Sequence, residues 1–153
     1  MKNYKLSDET KTLPWGTVLH RVVATTTFTL ACGITIHAGD VGGWIEKESN
    51  LSGNAWVSDN AWVSGNAKVS GHAQVYRNAQ VYGYALVCGN ARVAGYTLVC
   101  GNAQVYDDAQ VSGNALVYDY ARVYDEAQVY GSAQVCGNAQ VSGNARVGDD
   151  ANG

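Results

Sequence analysis

Several features that mark common functional classes are missing from this chain. The segment 1–5 leads into polar sequence without an apolar stretch, so we expect no signal peptide, no membrane span and a cytoplasmic location. The formal net charge is -3, with no concentrated basic face, which argues against a nucleic-acid polymer as partner. No Cys-X2-Cys and no His pair at ligand spacing occurs, so neither a metal nor another cofactor is predicted.

A six-residue repeat dominates the chain from Leu51 to Ala151, with the pattern small-X-Val-X-Gly/Asp-X and no insertion. A period of six does not fit a helix of 3.6 residues per turn, whereas Ala-X-Val alternates as a short strand does. The Gly-Asn pairs that follow many strands suit corners, because both residues tolerate left-handed backbone angles. Three strands and three corners make one coil. The sequence therefore predicts an all-β solenoid of about 17 repeats over residues 51–153.

Residues 1–50 break this rhythm and are predicted to form a β-rich cap. The runs 17–24, 27–32 and 33–37 are rich in β-branched residues and are expected to be strands. Trp44 and Ile45, after a Gly42-Gly43 turn, are expected to plug the first coil, and residues 6–15 to form a surface arm. At the other end, Asp149 and Asp150 are expected to blunt the last coil, with end-to-end stacking as the alternative.

Two resemblances add to this interpretation. The hexapeptide phrase, as in Ala103-Gln104-Val105-Tyr106-Asp107-Asp108, resembles that of left-handed parallel β-helix proteins. A second set of segments lies in and just after the cap: Leu19-His20-Arg21-Val22-Val23, Ala38-Gly39-Asp40-Val41-Gly42-Gly43-Trp44-Ile45-Glu46 and Asn50-Leu51-Ser52. These resemble the amino-terminal cap of enterobacterial and prophage hexapeptide-repeat proteins that are labelled acyltransferases by analogy. The resemblance implies a left-handed solenoid, side-by-side trimers and a phage or prophage setting.

An acyltransferase of this resembling group is expected to use a histidine as general base, in a cleft between prisms that inserted loops and a terminal helix complete. The repeat contains no inserted loop, and the chain has only His20, His37 and His72. We expect each histidine to be structural or at the surface, and we assign no catalytic residue. An acyl-CoA-dependent acyltransferase remains the alternative function.

The outward side chains distinguish three faces when the repeat is aligned coil by coil. Two faces mix polar, charged and apolar groups, whereas the third carries no charged side chain. We call its exposed part the uncharged strip and predict that it is an oligomer interface, most simply of a homotrimer. The uncharged strip consists of Tyr82, Leu98, Cys100, Leu116, Tyr118 and Cys136.

The two mixed faces offer candidates for binding a small anionic ligand such as a nucleotide. Such a ligand needs an arginine beside an aromatic platform, which we expect at a junction between protomers. The candidate residues are Arg92, Arg122, Tyr76, Tyr106 and Tyr124.

One predicted corner column brings carboxylates together, at about 5 Å from coil to coil. Their repulsion either raises a pKa or invites a hard cation such as calcium, although a solvated corner relieved by Arg122 is the favoured interpretation. The residues of this acidic corner are Asp107, Asp108, Asp125 and Glu126.

The four cysteines are Cys32, Cys88, Cys100 and Cys136. Cys100 and Cys136 share a face but lie two coils apart, about 9 to 10 Å, which is beyond the reach of a disulfide. Free thiols of a cytosolic protein are therefore expected.

These observations together predict a non-enzymatic β-helix that acts as an oligomer through its rigid faces. Its expected partners are copies of itself, a host protein or a small anionic ligand. Sequestration of a nucleotide is kept as a second alternative beside the acyltransferase.

Overall fold

The computed structural model describes residues 3–30 and 33–148, whose regular secondary structure is β-strand apart from one 3-10 turn, with short corners between the strands. The described part of the cap contains β1 (Tyr4–Thr12), β2 (Val18–Ala24), β3 (Phe28–Thr29), β4 (Thr35–Ile36), β5 (Val41–Ile45) and a 3-10 turn, Glu48–Asn50. The described repeats contribute the two-residue strands β6 (Trp56–Val57), β7 (Trp62–Val63), β8 (Lys68–Val69), β9 (Gln74–Val75), β10 (Gln80–Val81), β11 (Leu86–Val87), β12 (Arg92–Val93), β13 (Leu98–Val99), β14 (Gln104–Val105), β15 (Gln110–Val111), β16 (Leu116–Val117), β17 (Arg122–Val123), β18 (Gln128–Val129), β19 (Gln134–Val135), β20 (Gln140–Val141) and β21 (Arg146–Val147).

Each coil contributes one rung to each of three parallel faces. Sheet A has the order β1-β2-β5-β7-β10-β13-β16-β19, sheet C the order β20-β17-β14-β11-β8, and sheet D the order β21-β18-β15-β12-β9-β6. The strands β3 and β4 form a separate hairpin, sheet B. Val93 pairs with Val75 on one side and with Val111 on the other, and Val111 pairs with Val129. The predicted parallel β-helix and its inward valine column are confirmed.

The core is narrow because small side chains fill it. Ala103 and Val105 of one repeat are both 0% exposed, and their equivalents in the neighbouring coils are buried in the same way. Backbone bonds hold the coils together, as where the Trp56 N–H donates to the Ala73 carbonyl at 3.0 Å. Period-2 alternation within each repeat thus places one small and one β-branched residue inside.

Every corner turns at a residue whose φ is positive. The angle is 63° at Gly101, 58° at Asp107 and 62° at Arg77. Stacked corners also approach closely, since a Cβ at Gly113 would lie 2.7 Å from the backbone nitrogen of Gly131. Glycine at this position thus allows the positive φ without strain and leaves room for the backbone of the next coil.

Sheet A runs without a break from the cap into the solenoid. Strand β5 pairs in parallel with β7, with Trp44 opposite Trp62 and Ile45 opposite Val63. On its other side β5 pairs antiparallel with β2, which pairs with β1. The solenoid register thus begins inside the predicted cap, before the sequence repeat begins at Leu51.

The prediction of a surface arm over residues 6–15 is wrong for most of its length, because β1 is a nine-residue strand. It pairs with β2 from Tyr4 opposite Ala24 to Thr12 opposite Val18. The Tyr4 hydroxyl also donates to the backbone carbonyls of Glu48 and Leu51, which fastens this strand to the first coil. The strand was missed because it lies at a sheet edge, where backbone pairing rather than side-chain burial determines the structure.

Gly42 and Gly43 lie within β5 and do not form the turn that the sequence suggested. A Cβ at Gly42 would lie 2.5 Å from the Val57 carbonyl oxygen, and one at Gly43 would lie 2.6 Å from that of Ala61. The two glycines therefore allow β5 to pass close to the first coil.

The two residues expected to plug the first coil have different positions. Ile45 is fully buried within the solenoid core. Trp44 instead lies on the outer side of sheet A, where it packs with Leu13, Leu19 and Trp62. Neighbouring residues of a strand point to opposite faces, so only one of the two can enter the core.

Three sequence expectations fall outside the described residues: the end of the solenoid at Ala151, the blunting of the last coil by Asp149 and Asp150, and the state of Cys32. Among the residues that are described, none belongs to a helix long and apolar enough to cross a membrane.

Candidate binding surfaces

The structure places the six residues of the uncharged strip together on the outer side of sheet A. Leu98 pairs directly with Leu116 on adjacent rungs. Beside them, Tyr82, Cys100 and Tyr118 follow one another from coil to coil, and Cys136 continues their column. All six are half-buried in the single chain, so the strip keeps solvent-accessible apolar surface.

Tyrosine and cysteine side chains alternate along this column and interact. Burial, together with a hydrogen bond to the Cys100 side chain, raises the pKa of Tyr82 to about 12. A hydrogen bond with Cys136 raises the pKa of Tyr118 in the same direction. Both tyrosines are therefore neutral at physiological pH, and the strip remains uncharged.

The cap covers the beginning of the same face with aromatic side chains. Trp15 packs against Trp62 with ring centroids 6.2 Å apart, and Trp62 packs against Tyr82 at 5.8 Å. Lys11 and the Arg21 guanidinium lie 5.0 Å from the Trp44 ring. The uncharged strip is thus the open continuation of a surface that the cap covers over the first coils.

Exposed tyrosines at the corners were missed by the sequence analysis. Tyr84 and Tyr120 lie on the corner column between sheets A and C and are each 63% exposed, and Tyr96 lies on the column between sheets D and A at 68%. They border the uncharged strip on both sides. The spacing of Tyr84 and Tyr120, two coils apart, was a sequence signal for them, but the corner columns were searched only for carboxylates.

The five candidate ligand residues do not form one site within a chain. Tyr76 and Arg92 lie on sheet D, whereas Tyr106, Arg122 and Tyr124 lie on sheet C. On sheet C the rings of Tyr106 and Tyr124 stack at 5.1 Å with an interplanar angle of 4°. Burial raises the pKa of Tyr106, and the nearby Arg122 charge opposes this shift. Tyr76 and Arg92, on sheet D, lie beside the β3–β4 hairpin of the cap.

The residues of the acidic corner lie on successive coils, and two of the carboxylates accept hydrogen bonds from backbone N–H groups. The Asp107 carboxylate accepts the Asp125 N–H at 3.1 Å, and the Asp125 carboxylate accepts the Gly143 N–H at 3.0 Å. The Asn90 side-chain amide donates to Asp108 at 3.2 Å. In the described part of the chain, no group of three or more His, Cys, Asp or Glu residues is arranged to hold a metal ion.

The three histidines occupy three different parts of the molecule. His20 lies half-buried in β2, His37 follows β4 and is exposed, and His72 is exposed on a corner between sheets C and D. The described cysteines Cys88, Cys100 and Cys136 are free thiols, as expected.

Comparison with known proteins agrees with this architecture. Residues 109–125 and 139–151 match the family described as YdcK beta solenoid repeat, and both segments belong to the repeat region. No curated protein matches the chain. The protein is therefore a β-solenoid repeat protein, and the acyltransferase and prophage labels rest on the sequence resemblance alone.

Proposed function

We propose that this β-solenoid acts without catalysis, as a rigid scaffold that self-associates through the uncharged strip, most simply as a homotrimer. The observation that carries the proposal is the uncharged strip on the outer side of sheet A, where Leu98 and Leu116 pair and neutral tyrosines line the column beside them. Aromatic and apolar residues without charge are typical of interface cores.

The partial cover from the cap supports the same proposal. Trp15 and Trp62 show that this face is covered by apolar groups where the chain itself supplies them. Further along, the exposed Tyr84 and Tyr120 border the strip and are rigid anchors suited to a protein contact. Cyclic symmetry allows the same strip to serve in every protomer, which favours a second copy of this chain over a foreign protein.

The regular course of the solenoid supports a function without catalysis. The described strands β6 to β21 follow one another at a constant spacing, without an intervening loop that encloses a substrate. His20, His37 and His72 lie in separate parts of the molecule, on β2, just after β4 and on a corner between sheets C and D. A phage or prophage setting, with a host protein as the scaffolded partner, is the biological context that the cap resemblance suggests.

The test of self-association compares two double variants by sedimentation velocity and native mass spectrometry. We expect the parent to have the mass of three chains and Leu98→Glu with Leu116→Glu to have the mass of one. The matched control is Leu86→Glu with Gln104→Glu, which adds the same charges to adjacent rungs of sheet C. An unchanged mass in the first variant, or equal dissociation in both, would exclude the uncharged strip as the interface.

Site-specific crosslinking locates the contact independently. Two single-cysteine chains are treated with a short bismaleimide, which joins two thiols. The chain that keeps Cys100 is expected to form covalently linked dimers. The chain that keeps Cys88, a thiol on sheet C, should remain monomeric on a denaturing gel. Equal crosslinking of the two chains contradicts the proposed interface.

The acyltransferase alternative is tested with acetyl-coenzyme A and a panel of amine and hydroxyl acceptors. We expect no turnover by the parent and none after His20, His37 and His72 are replaced together by glutamine. Turnover by the parent that disappears in the triple variant overturns the proposal of a function without catalysis.

A further inference from the structure

A groove of about 310 Å³ lies where the β3–β4 hairpin meets the outer face of sheet D. Leu30 and Ile34 form the side contributed by the hairpin, while Trp56, Gln74, Tyr76 and Arg92 belong to three successive rungs of sheet D. The groove lies on a different face from the uncharged strip. Its volume is near the lower limit for small-molecule sites.

The walls near the hairpin are apolar and held in place. Trp56 is only 4% exposed and packs edge-on against Phe28, with ring centroids 5.7 Å apart. Leu30 is buried as well, whereas Ile34 is 58% exposed at the groove. An isoleucine exposed beside a preformed aromatic wall favours a ligand with a flat apolar body.

The far end of the groove carries a single positive charge. Arg92 is half-buried, and within the described residues its guanidinium makes neither an ion pair nor a hydrogen bond. Among the residues that the structure describes, no carboxylate lines the groove. Arg92 also borders a neighbouring polar depression together with Asp108, whose carboxylate accepts a hydrogen bond from Asn90. The free donors of Arg92 are therefore suited to one carboxylate or sulfonate.

We infer that this groove binds a small organic monoanion, with its flat apolar body between Ile34 and Trp56 and its acid group on Arg92. A nucleotide with a terminal phosphate carries more than one negative charge, but Arg92 is the only cationic side chain that lines the groove among the described residues. A monoanion such as an aromatic carboxylate matches both the charge and the apolar wall. The inference does not depend on the oligomeric state, because the groove is built within one chain.

The probe for the test is 2-naphthoate, with the neutral 2-naphthylmethanol and adenosine monophosphate as comparison ligands. Binding is followed by NMR through the indole N–H signals of Trp56 in the groove and Trp62 on sheet A, assigned with Trp56→Phe and Trp62→Phe. We expect 2-naphthoate to shift the Trp56 signal and to leave that of Trp62 unchanged. The neutral analogue should bind about ten times more weakly, since a hydrogen-bonded charge contributes that much or more.

Variants test the role of each wall. Arg92→Gln should weaken 2-naphthoate binding about tenfold without affecting the neutral analogue, and Ile34→Ser should weaken both. The matched control Arg122→Gln, on sheet C, should leave binding unchanged. The inference is overturned if about 1 mM 2-naphthoate leaves the Trp56 signal in place, if Arg92→Gln binds as the parent does, or if adenosine monophosphate binds more tightly than 2-naphthoate.

Discussion

Asp107 and Asp125 stand at the same corner of successive coils, and the carboxylate of the first accepts the backbone N–H of the second at 3.1 Å. The same bond joins Asp59 to Arg77, Asp119 to Gly137 and Asp125 to Gly143. In each case the aspartate itself has a φ near +59°. The backbone bond at this corner comes from the next residue, as where the Asp108 N–H donates to the Asp125 carbonyl. The corner aspartate thus accepts a hydrogen bond from a backbone N–H that makes no backbone–backbone bond between coils.

Three substitutions at Asp107 separate its backbone angle from its hydrogen bond. Asp107→Asn keeps an acceptor and removes one charge from the acidic corner, so its free energy of unfolding should equal or exceed that of the parent. Asp107→Gly tolerates the angle but loses the acceptor, which should destabilise by about 1 kcal/mol. Asp107→Ala should lose about 1 kcal/mol more, because alanine resists a positive φ. Chemical denaturation measures all three, and a Gly variant as stable as the parent would show that the bond contributes nothing.

The sequence period alone was sufficient to predict the coils, the inward valines and the composition of each face. It placed Asp107 and Asp125 on one corner and favoured a solvated corner relieved by Arg122, with a raised pKa or a bound cation as the alternative. The hydrogen bonds that occupy their oxygens depend on the position of an amide one coil later, which a pattern of residue types does not report. The hydrogen bonding at the corners was therefore not predictable from the sequence pattern.

The cap was less predictable because it lacks a repeat. Its β-branched runs indicated β2 to β4, but β1 is a polar edge strand whose pairing comes from its backbone. The cover that Trp15 gives to Trp62 joins distant segments and leaves no mark in local sequence. Likewise, the meeting of Ile34 and Arg92 in one groove depends on where the hairpin folds back over sheet D.

Thr97 is the one threonine in a column of inward alanines, and its fully buried hydroxyl has no hydrogen-bond partner in the described part of the chain. We expect Thr97→Val to raise the free energy of unfolding by about 1 kcal/mol, because it fills the same space without an unsatisfied polar group. Thr97→Ser keeps the hydroxyl and should be less stable than the parent. If Thr97→Val lowers the midpoint of urea unfolding, the hydroxyl is satisfied in solution.

Tyr4 should make the protein sensitive to alkali. Burial, with a smaller contribution from Glu48, raises the pKa of Tyr4 from 10.0 to about 12. The folded state therefore holds this proton more tightly, so its contribution to the free energy of unfolding is complete below pH 10.0 and declines as the pH rises towards about 12. Tyr4→Phe should be less stable by about 1 kcal/mol near neutrality, through the lost hydrogen bond, and should decline less steeply in alkali.

Urea unfolding at about pH 8 and about pH 11 provides the comparison for Tyr4→Phe. The control is Tyr84→Phe, which removes the hydroxyl of an exposed corner tyrosine and should follow the parent at both values. An alkaline decline in Tyr4→Phe as steep as in the parent would assign the effect to other groups. Tyr82, whose pKa is also about 12, is the next candidate for substitution.

Val105 and Gln104 are adjacent in β14 but lie on opposite sides of the solenoid wall. Val105 is 0% exposed in the core, whereas Gln104 points outward and is half-buried. We expect Val105→Asp to unfold the array, because an unpaired charge in so narrow a core costs about 3 to 5 kcal/mol or more. Each coil contacts only its neighbours, so one disrupted rung separates the coils on either side.

Gln104→Asp is the matched control, because it introduces the same carboxylate one residue away on the outer side of the solenoid wall. It shows whether the loss of stability requires an inward-facing charge. Its circular dichroism spectrum and urea midpoint should remain close to those of the parent, since an outward charge stays hydrated. Val105→Ala provides an intermediate case, because it removes apolar volume without adding charge and should destabilise by about 1 to 3 kcal/mol. A cooperative transition in Val105→Asp at the parent's midpoint would mean that this side chain does not face the core.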